Sequence, residues 1–248
     1  MAEQTVETPL QRMELLIGEE SLNKLQNSSV MIVGIGGVGS YVCEALARSG
    51  VKKLILVDGD RVALSNLNRQ IHATYDTLNQ SKTQVMKDRI LTYRNDCEVI
   101  CYDLFYKEEE NETLFSQPVD FVVDAIDTMS SKLSLIKYCL AHKIPFISSM
   151  GMANRMDPTK IEITELSKTS YDPVAKIMRQ LVRKEKIKVK IPVVWSSEQP
   201  SVQTKIINEN GVTRKQKMPP ASSPFVPSAA GLAIASYVVR KLIEAKWI

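Results

Sequence analysis

An apolar run that gives way to four closely spaced glycines constrains the fold of this chain more than any other feature. Residues 30–33 (Val-Met-Ile-Val) are typical of a buried strand, and a helical pattern covers residues 38–49. Four glycines lie in the turn and at the start of the helix: Gly34, Gly36, Gly37 and Gly39. Glycines there permit a tight turn, close approach of backbone to phosphate, and close helix–strand packing. Because the helix also begins with free N–H groups, the pattern predicts a nucleotide pocket.

A second apolar run supports this interpretation. Residues 54–57 (Leu-Ile-Leu-Val) end at Asp58, about 20 residues past the glycines, where a carboxylate binds ribose hydroxyls. Strand and helix patterns then alternate, which predicts an α/β fold, doubly wound and Rossmann-like, with a mainly parallel sheet. The predicted strands are 30–34, 53–58, 98–102, 119–124 and 145–148, and the predicted helices are 38–49, 82–93, 110–115 and 130–142.

The second half of the chain predicts a different arrangement. Residues 161–165 alternate between apolar and polar side chains, as in a half-buried antiparallel strand, and residues 191–196 form a further apolar strand. Between them, Asp172 and Pro173 predict the capped start of a helix. Loops are expected over residues 197–226, and a packed helix from Pro227 to about Ala245. We therefore expect one domain over residues 1–248, with a nucleotide-binding core in residues 1–150 and a basic part in residues 151–248.

Polar residues after the second strand favour a triphosphate over a dinucleotide as the ligand. Asp60, Asn66, Arg69 and Gln70 place charges and amides just beyond that strand, and Lys82 begins the next helix, within reach of a phosphate. A dehydrogenase has no evident need for such a cluster, whereas phosphate oxygens bind these groups strongly.

Two carboxylates follow the strand predicted over residues 119–124. Asp124 and Asp127 lie at its carboxyl end, where open α/β sheets bind ligands. A carboxylate at this place suits Mg²⁺, which binds one or two carboxylates together with phosphate oxygens. The sequence thus indicates a nucleotide bound with a metal ion.

Taken in order, these motifs resemble the ubiquitin-activating-enzyme-like superfamily of ATP-dependent adenylating enzymes, which includes the ThiF and MoeB families. The resemblance spans roughly residues 12–150. It rests on the glycine loop, Lys82 and three segments: 58–60 (Asp-Gly-Asp), 65–70 (Ser-Asn-Leu-Asn-Arg-Gln) and 124–127 (Asp-Ala-Ile-Asp).

The resemblance implies ATP as cosubstrate and Mg²⁺ as metal, with a role for each motif. The residues implied in nucleotide binding are Gly34, Gly36, Gly37, Gly39, Asp58, Asp60, Asn66, Arg69 and Lys82. The residues implied in catalysis are Arg12, Arg69, Lys82 and Asp127, of which Asp127 would bind the metal. Because Arg12 precedes the glycine loop, it corresponds to an arginine that in relatives often reaches the partner subunit's site, which implies a homodimer.

The distribution of charge indicates a further partner. Residues 1–150 carry 15 basic and 20 acidic side chains, and residues 151–248 carry 17 and 8, so their net charges are −5 and +9. Much of the excess lies between Lys168 and Lys190. A basic helix face is often merely solvated, but beside an acidic nucleotide-binding part it favours a polyanionic partner, with nucleic acid as the leading candidate.

Composition excludes several classes of protein. Apolar residues make up 44% and charged residues 24%, as in ordinary globular proteins. The sequence has neither an 18-residue apolar stretch nor the layout of a signal peptide, so we expect no membrane span and a cytoplasmic location. The four cysteines (Cys43, Cys97, Cys101 and Cys139) form no C-x-x-C motif, which argues against the zinc-containing members of the superfamily. No cysteine follows Cys139, which argues against an enzyme thioester.

The second half is similar to the tRNA threonylcarbamoyladenosine dehydratase family, also called cyclic threonylcarbamoyladenosine synthases. The segments that discriminate are 168–175 (Lys-Thr-Ser-Tyr-Asp-Pro-Val-Ala) and 194–200 (Val-Trp-Ser-Ser-Glu-Gln-Pro). This resemblance implies that ATP activates the threonyl carboxylate of threonylcarbamoyladenosine in the tRNA anticodon loop, after which the carbamoyl group closes a ring with loss of water. Residues 176–190 and the 197–226 loops would hold the tRNA, and a sulfur-transfer protein is a possible partner.

Three other functions are compatible with parts of this pattern. Within the superfamily, the chain could adenylate the carboxyl terminus of a ubiquitin-like or sulfur-carrier protein. A nucleotide-sensing scaffold would bind ATP without forming AMP. An NAD-dependent oxidoreductase would bind NAD more tightly than ATP.

Overall fold

The computed structural model describes residues 7–202 and 220–244, and seven strands in this part of the chain form one sheet. The strands are β1 (Ser29–Val33), β2 (Lys53–Val57), β3 (Glu98–Tyr102), β4 (Phe121–Asp124), β5 (Phe146–Ser149), β6 (Ile161–Glu165) and β7 (Pro192–Ser196). Their order across the sheet is β3-β2-β1-β4-β5-β7-β6. All neighbours pair in parallel except β6 and β7, which are antiparallel. The prediction of a mainly parallel sheet whose antiparallel strands come from the carboxyl-terminal part of the chain is confirmed.

Helices cover both faces of the sheet. They are α1 (Gln11–Ile17), α2 (Glu19–Gln26), α3 (Gly39–Ser49), α4 (Lys82–Leu91), α5 (Asn111–Leu114), α6 (Met129–His142), α7 (Pro173–Lys184) and α8 (Phe225–Leu242). Side chains of α3, α4 and α8 pack in one hydrophobic cluster, and side chains of α5, α6 and α7 pack in another on the opposite face.

Burial on both faces explains why the central strands read as continuous apolar runs. All five residues of β1 are buried. Val30 and Ile32 belong to the cluster under α3 and α8, whereas Met31 and Val33 belong to the cluster under α6 and α7. A parallel strand sandwiched between two helical layers has no solvated face, so a polar residue would be costly at any of these positions.

The order in which strands are added to the sheet reverses at β1, and this reversal locates the ligand crevice. Strands β2 and β3 lie on one side of β1, and strands β4, β5 and β7 lie on the other. In open α/β sheets a crevice forms outside the carboxyl ends of the strands where the order reverses. The glycine loop between β1 and α3 lies at this switch point.

Several predicted boundaries were wrong by a few residues. The carboxyl-terminal helix begins at Phe225 rather than Pro227, because proline is tolerated within the first turn of a helix. The strand predicted from residue 119 begins at Phe121. The predicted loop over 197–226 lies partly outside the described residues. The last helix ends at Leu242 rather than at about Ala245. Among the described helices, none combines the length and hydropathy needed to cross a bilayer.

Candidate active site

A cavity of about 520 Å³ lies at the carboxyl ends of β1, β2 and β4. Of the eleven residues predicted for the site, nine line it: Gly34, Gly36, Gly37, Asp58, Asp60, Asn66, Arg69, Lys82 and Asp127. These residues come from five separate segments of the chain, and the parallel sheet brings them to one edge. We refer to this cavity as the crevice.

The Asp58 carboxylate fixes the glycine loop against the end of β2. One of its oxygens accepts a hydrogen bond from the Ile35 N–H at 2.6 Å, and the other accepts from the Asp60 N–H at 2.8 Å. Burial raises the pKa of Asp58, while nearby Lys82 and these two N–H groups act in the opposite direction. The carboxylate therefore organises the loop and faces the crevice at the same time.

The surroundings of Gly36 and Gly39 differ in whether they leave room for a side chain. A Cβ on Gly39 would lie 1.8 Å from the Gly34 carbonyl oxygen, so only glycine allows α3 to begin this close to β1. Gly39 does not line the crevice. A Cβ on Gly36, by contrast, would meet no described atom within 4 Å. Gly36 thus leaves open space at the surface where a phosphate would approach the backbone.

Cations and amides surround the next part of the crevice. The Lys82 ammonium lies 2.8 Å from an oxygen of Asp60, and its side chain is almost fully buried at the first position of α4. Arg69 donates to the Ser65 carbonyl at 2.7 Å and to the Asn68 side chain at 2.9 Å. Both cations are held in place by their neighbours while they line the crevice.

Two amide side chains beside these cations have hydrogen-bonding groups without a partner among the described residues. The Asn66 side-chain oxygen accepts from the Ala63 N–H at 3.0 Å, whereas its N–H groups donate to no described residue. The Gln70 side chain lines the crevice, and its buried Oε1 has no hydrogen-bond partner among the described residues. Because an unpaired buried acceptor is costly, Gln70 fits a site whose ligand supplies a donor.

The two carboxylates after β4 have different surroundings. Asp124 is buried and paired with Lys132, with 2.8 Å between Oδ2 and Nζ, and it also accepts from the Ser148 hydroxyl at 2.6 Å. Asp127 is exposed, lines the crevice, and accepts from the Thr128 hydroxyl at 3.3 Å. Within the described ranges Asp127 takes part in no ion pair, so it is the carboxylate available to a ligand.

Arg12 lies far from the crevice of its own chain. It is exposed on α1, which follows Leu10, and Leu10 packs near Gly50 at the carboxyl end of α3. The glycine loop lies at the other end of α3, and a helix of this length spans about 16 Å. Arg12 is accordingly not among the residues that line the crevice of its own chain.

Comparison with known proteins assigns the chain to a family. The family model described as ThiF matches residues 10–245. The chain belongs to the ThiF family. It is 48% identical over 238 residues to the tRNA threonylcarbamoyladenosine dehydratase of Bacillus subtilis, with 94% of each sequence covered. It is 38% identical over 190 residues to the Escherichia coli protein of the same name, which covers 74% of this chain and 71% of that protein.

A solved structure of this family agrees with the fold. The E. coli dehydratase, TcdA, in complex with ATP has a TM-score of 0.85 to this chain at 31% identity, with 95% of this chain and 94% of the other covered. The predicted resemblance to the ThiF family and to the dehydratases is confirmed.

The ThiF crevice has an apolar wall that sequence reasoning missed. Residues 104–106 follow β3, residues 150–153 follow β5, and Val174 and Pro227 come from the starts of α7 and α8. Residues 104–106 and 150–153 could have been predicted from their position after predicted strands, because the carboxyl ends of parallel strands meet at one edge of the sheet. The contributions of the two helices depend on tertiary packing and leave no local signal.

Four basic residues of the second half line a separate cleft. A second cavity of about 470 Å³ lies between the carboxyl-terminal half of α7 and the entry to β7. Its basic lining residues are Arg179, Arg183, Lys188 and Lys190. We refer to this cavity as the basic cleft.

Proposed function

We propose that this ThiF-family chain is an ATP-dependent tRNA threonylcarbamoyladenosine dehydratase. The proposal rests on two observations taken together. The similarity to the B. subtilis dehydratase covers 94% of both sequences, and Asp127 lines the crevice, where it is available to a ligand. Relatives that act on protein carriers are more distant: the chain is 27% identical over 133 residues to a SUMO-activating enzyme subunit of Dictyostelium discoideum. Adenylation of a carrier protein is therefore the weaker candidate.

The residues of the crevice fit a bound ATP. Gly36 leaves room at the backbone, Asp58 offers a carboxylate for ribose, and Arg69 and Lys82 offer cations for the phosphates. The buried Gln70 oxygen needs a donor, which a ligand can supply. The solved E. coli relative is in complex with ATP, which supports the same ligand here.

Mg²⁺ fits the same site through Asp127. No group of three or more metal-ligating side chains occurs in the described ranges, but Mg²⁺ needs only one or two carboxylates when phosphate oxygens complete its shell. When bound, Mg²⁺ would neutralise charge on the phosphates. Asp127, which lines the crevice, would hold it there.

The reaction transfers an adenylyl group and then closes a ring. A carboxylate oxygen of the threonyl group attacks the α-phosphorus of ATP, and pyrophosphate leaves. The carbamoyl group then attacks the activated carbonyl carbon, and AMP leaves with the former carboxylate oxygen, so the nucleoside loses one water. Arg69 and Lys82 would stabilise the charge that grows on the phosphates.

Ring closure needs no enzyme nucleophile. The attacking group is tethered to the same threonyl unit, so proximity lowers the barrier by several kcal/mol. No cysteine is among the described residues that line the crevice. The chemistry required of the protein is thus activation of the carboxylate and exclusion of competing water.

Two further features of the proposal concern partners. In a homodimer, Arg12 of each subunit would enter the crevice of the other, which accounts for its distance from its own crevice. The tRNA backbone would follow α7, whose twelve residues extend about 18 Å from the crevice at Val174 toward the basic cleft. A sulfur-transfer protein as a partner stays a prediction.

The experiment that tests the proposal compares acceptors. The protein is incubated with labelled ATP and either tRNA carrying threonylcarbamoyladenosine, the same tRNA without the modification, or a ubiquitin-like carrier protein. We expect AMP release with the modified tRNA alone. Release that requires the carrier would favour the alternative function, and ATP binding without release would favour a scaffold.

A further inference from the structure

Tyr171 has an unusual backbone conformation. Six non-glycine residues in the described ranges have φ in the left-handed region. Two are asparagines and three lie just after the carboxyl end of a helix, both of which are usual places for it. The sixth is Tyr171, with φ 52°, which directly precedes the capping residue of α7. A bulky residue in this conformation is strained by about 1–3 kcal/mol.

The neighbours of Tyr171 hold this conformation from both sides. On one side, Thr169 donates its hydroxyl hydrogen to the Leu166 carbonyl at 2.8 Å, and Arg179 donates to the Thr169 carbonyl at 3.0 Å. On the other side, Asp172 accepts from the Ala175 N–H at 2.9 Å. The backbone around Tyr171 is therefore fixed by contacts that do not involve its ring.

Asp172 is also tied to the crevice wall. It lies 3.4 Å from the Arg155 guanidinium, which donates to the Glu198 carbonyl at 2.9 Å. Asp172 is so close to Gly151 that a Cβ on that glycine would lie 3.1 Å from Asp172 Oδ1. Because Gly151 lines the crevice, Tyr171 is one residue removed from the wall that follows β5.

This wall is at the opposite end of the crevice from Asp58. Asp58 follows β2, and Gly151 follows β5, three strands away across the sheet. At about 4.8 Å per strand the two ends are about 14 Å apart. A nucleotide whose ribose is bound by Asp58 leaves the end near Tyr171 for the second substrate.

The Tyr171 side chain itself is free at the surface. It is 67% exposed although it is a large aromatic group on a rigid segment. Lys168 precedes it and Lys176 follows it, and both are exposed. An aromatic ring flanked by lysines is typical of surfaces that stack unpaired bases and bind the adjoining phosphates.

We propose that Tyr171 is a stacking platform for a nucleobase of the tRNA anticodon loop and so selects the RNA acceptor. This inference rests on the proposed function, because it concerns the substrate of the same crevice. The strained backbone keeps the ring presented to solvent, and a tyrosine on a rigid backbone loses little conformational entropy on binding. The exposed Lys168 and Lys176, three residues before and five residues after Tyr171, would bind phosphates that adjoin the stacked base.

Substitutions separate stacking from a structural role. Y171G and Y171N remove the ring and place residues that favour the left-handed region at this position. We expect both variants to unfold at a higher temperature than the parent, to bind ATP unchanged, and to bind modified tRNA about tenfold more weakly, equivalent to about 1.4 kcal/mol. Y171F and Y171W are expected to keep parental affinity, and in Y171W the added fluorescence should be quenched by the tRNA.

A matched control and clear contrary outcomes complete the test. Tyr75 is 76% exposed and lies between β2 and α4 rather than beside the wall that follows β5, so Y75A removes a ring of similar accessibility and should leave tRNA affinity unchanged. Parental tRNA affinity in Y171G and Y171N would overturn the proposal, and so would equal losses in Y171F and Y171W or a loss of ATP binding. Failure of the parent protein to form AMP with modified tRNA would instead contradict the proposed function.

Discussion

Lys132 and Asp124 form a buried ion pair directly behind the crevice wall that carries Asp127. The Lys132 side chain is 0% exposed, and its ammonium also donates to the Ser148 hydroxyl at 3.2 Å and to the Ser149 carbonyl at 2.9 Å. Three acceptors thus satisfy the buried charge. Because Asp124 is used inside the protein, Asp127 is the carboxylate of this strand end that remains for a ligand.

Breaking the pair should reduce stability strongly. K132M leaves the Asp124 carboxylate buried without a cation, which is expected to lower the free energy of unfolding by about 3–5 kcal/mol. Urea denaturation followed by circular dichroism measures this. A loss below about 1 kcal/mol would show that Asp124 is stabilised mainly by its hydroxyl partner.

Asp127 should behave in the opposite way. D127N changes an exposed side chain that forms no ion pair within the described ranges, so the free energy of unfolding should change by less than about 0.5 kcal/mol. AMP formation should fall at least about 100-fold, because a positioned metal supplies several kcal/mol of charge stabilisation. Steady-state AMP release with modified tRNA measures the effect. Parental activity in D127N would remove this residue from the mechanism.

The two glycines of the loop should respond differently to an added methyl group. G39A forces a Cβ against the Gly34 carbonyl and is expected to destabilise the fold by about 3 kcal/mol. G36A places its Cβ in open space, so stability should be retained while ATP affinity falls about tenfold or more. Thermal unfolding with and without ATP separates the two effects. Parental ATP affinity in G36A would mean that no phosphate approaches this position.

Residues that line the crevice could be located from the sequence where one local segment carries the signal. The glycine loop, Asp58 and the residues from Asn66 to Lys82 lie near the ends of strands whose apolar runs are unmistakable. The parallel arrangement of those strands then requires the residues after them to share one edge. The fold class followed from the same alternation of patterns.

Features that depend on contacts between distant segments were not predicted. Lys132 reads as an ordinary helix residue, and only the packing of α6 on β4 and β5 shows that its ammonium is enclosed. Tyr171 was part of a recognised segment, but its backbone conformation depends on Arg179 and Asp172. The distance of Arg12 from its own crevice also required the positions of α1 and α3.

Stability should depend on pH through His72. Burial, with smaller contributions from Lys82 and Arg89, lowers the pKa of His72 to about 4, and its ring nitrogens have no hydrogen-bond partner among the described residues. The unfolded chain takes up this proton near its ordinary value of about 6.5. The folded chain binds this proton only near pH 4. The contribution of His72 to the free energy of unfolding is therefore fully present above about pH 6.5 and is lost as the pH falls to 4, by about 3 kcal/mol in all.

Replacement of His72 by leucine isolates this contribution. H72L should lose less stability than the parent between pH 6.5 and 4, measured by urea denaturation at each pH. H142Q serves as the control because His142 is exposed, and its pH profile should follow that of the parent. Parallel profiles for H72L and the parent would show that the imidazole does not titrate as its burial implies.

The most direct test of the account measures both products of one reaction. The parent protein is mixed with ATP, Mg²⁺ and tRNA carrying threonylcarbamoyladenosine, and AMP and the tRNA nucleosides are quantified, the latter by mass spectrometry under conditions that preserve a labile ring. We predict that each AMP formed is matched by one nucleoside that has lost one water, and that D127N forms neither. AMP formation without a dehydrated nucleoside, or dehydration that proceeds without ATP, would contradict the account.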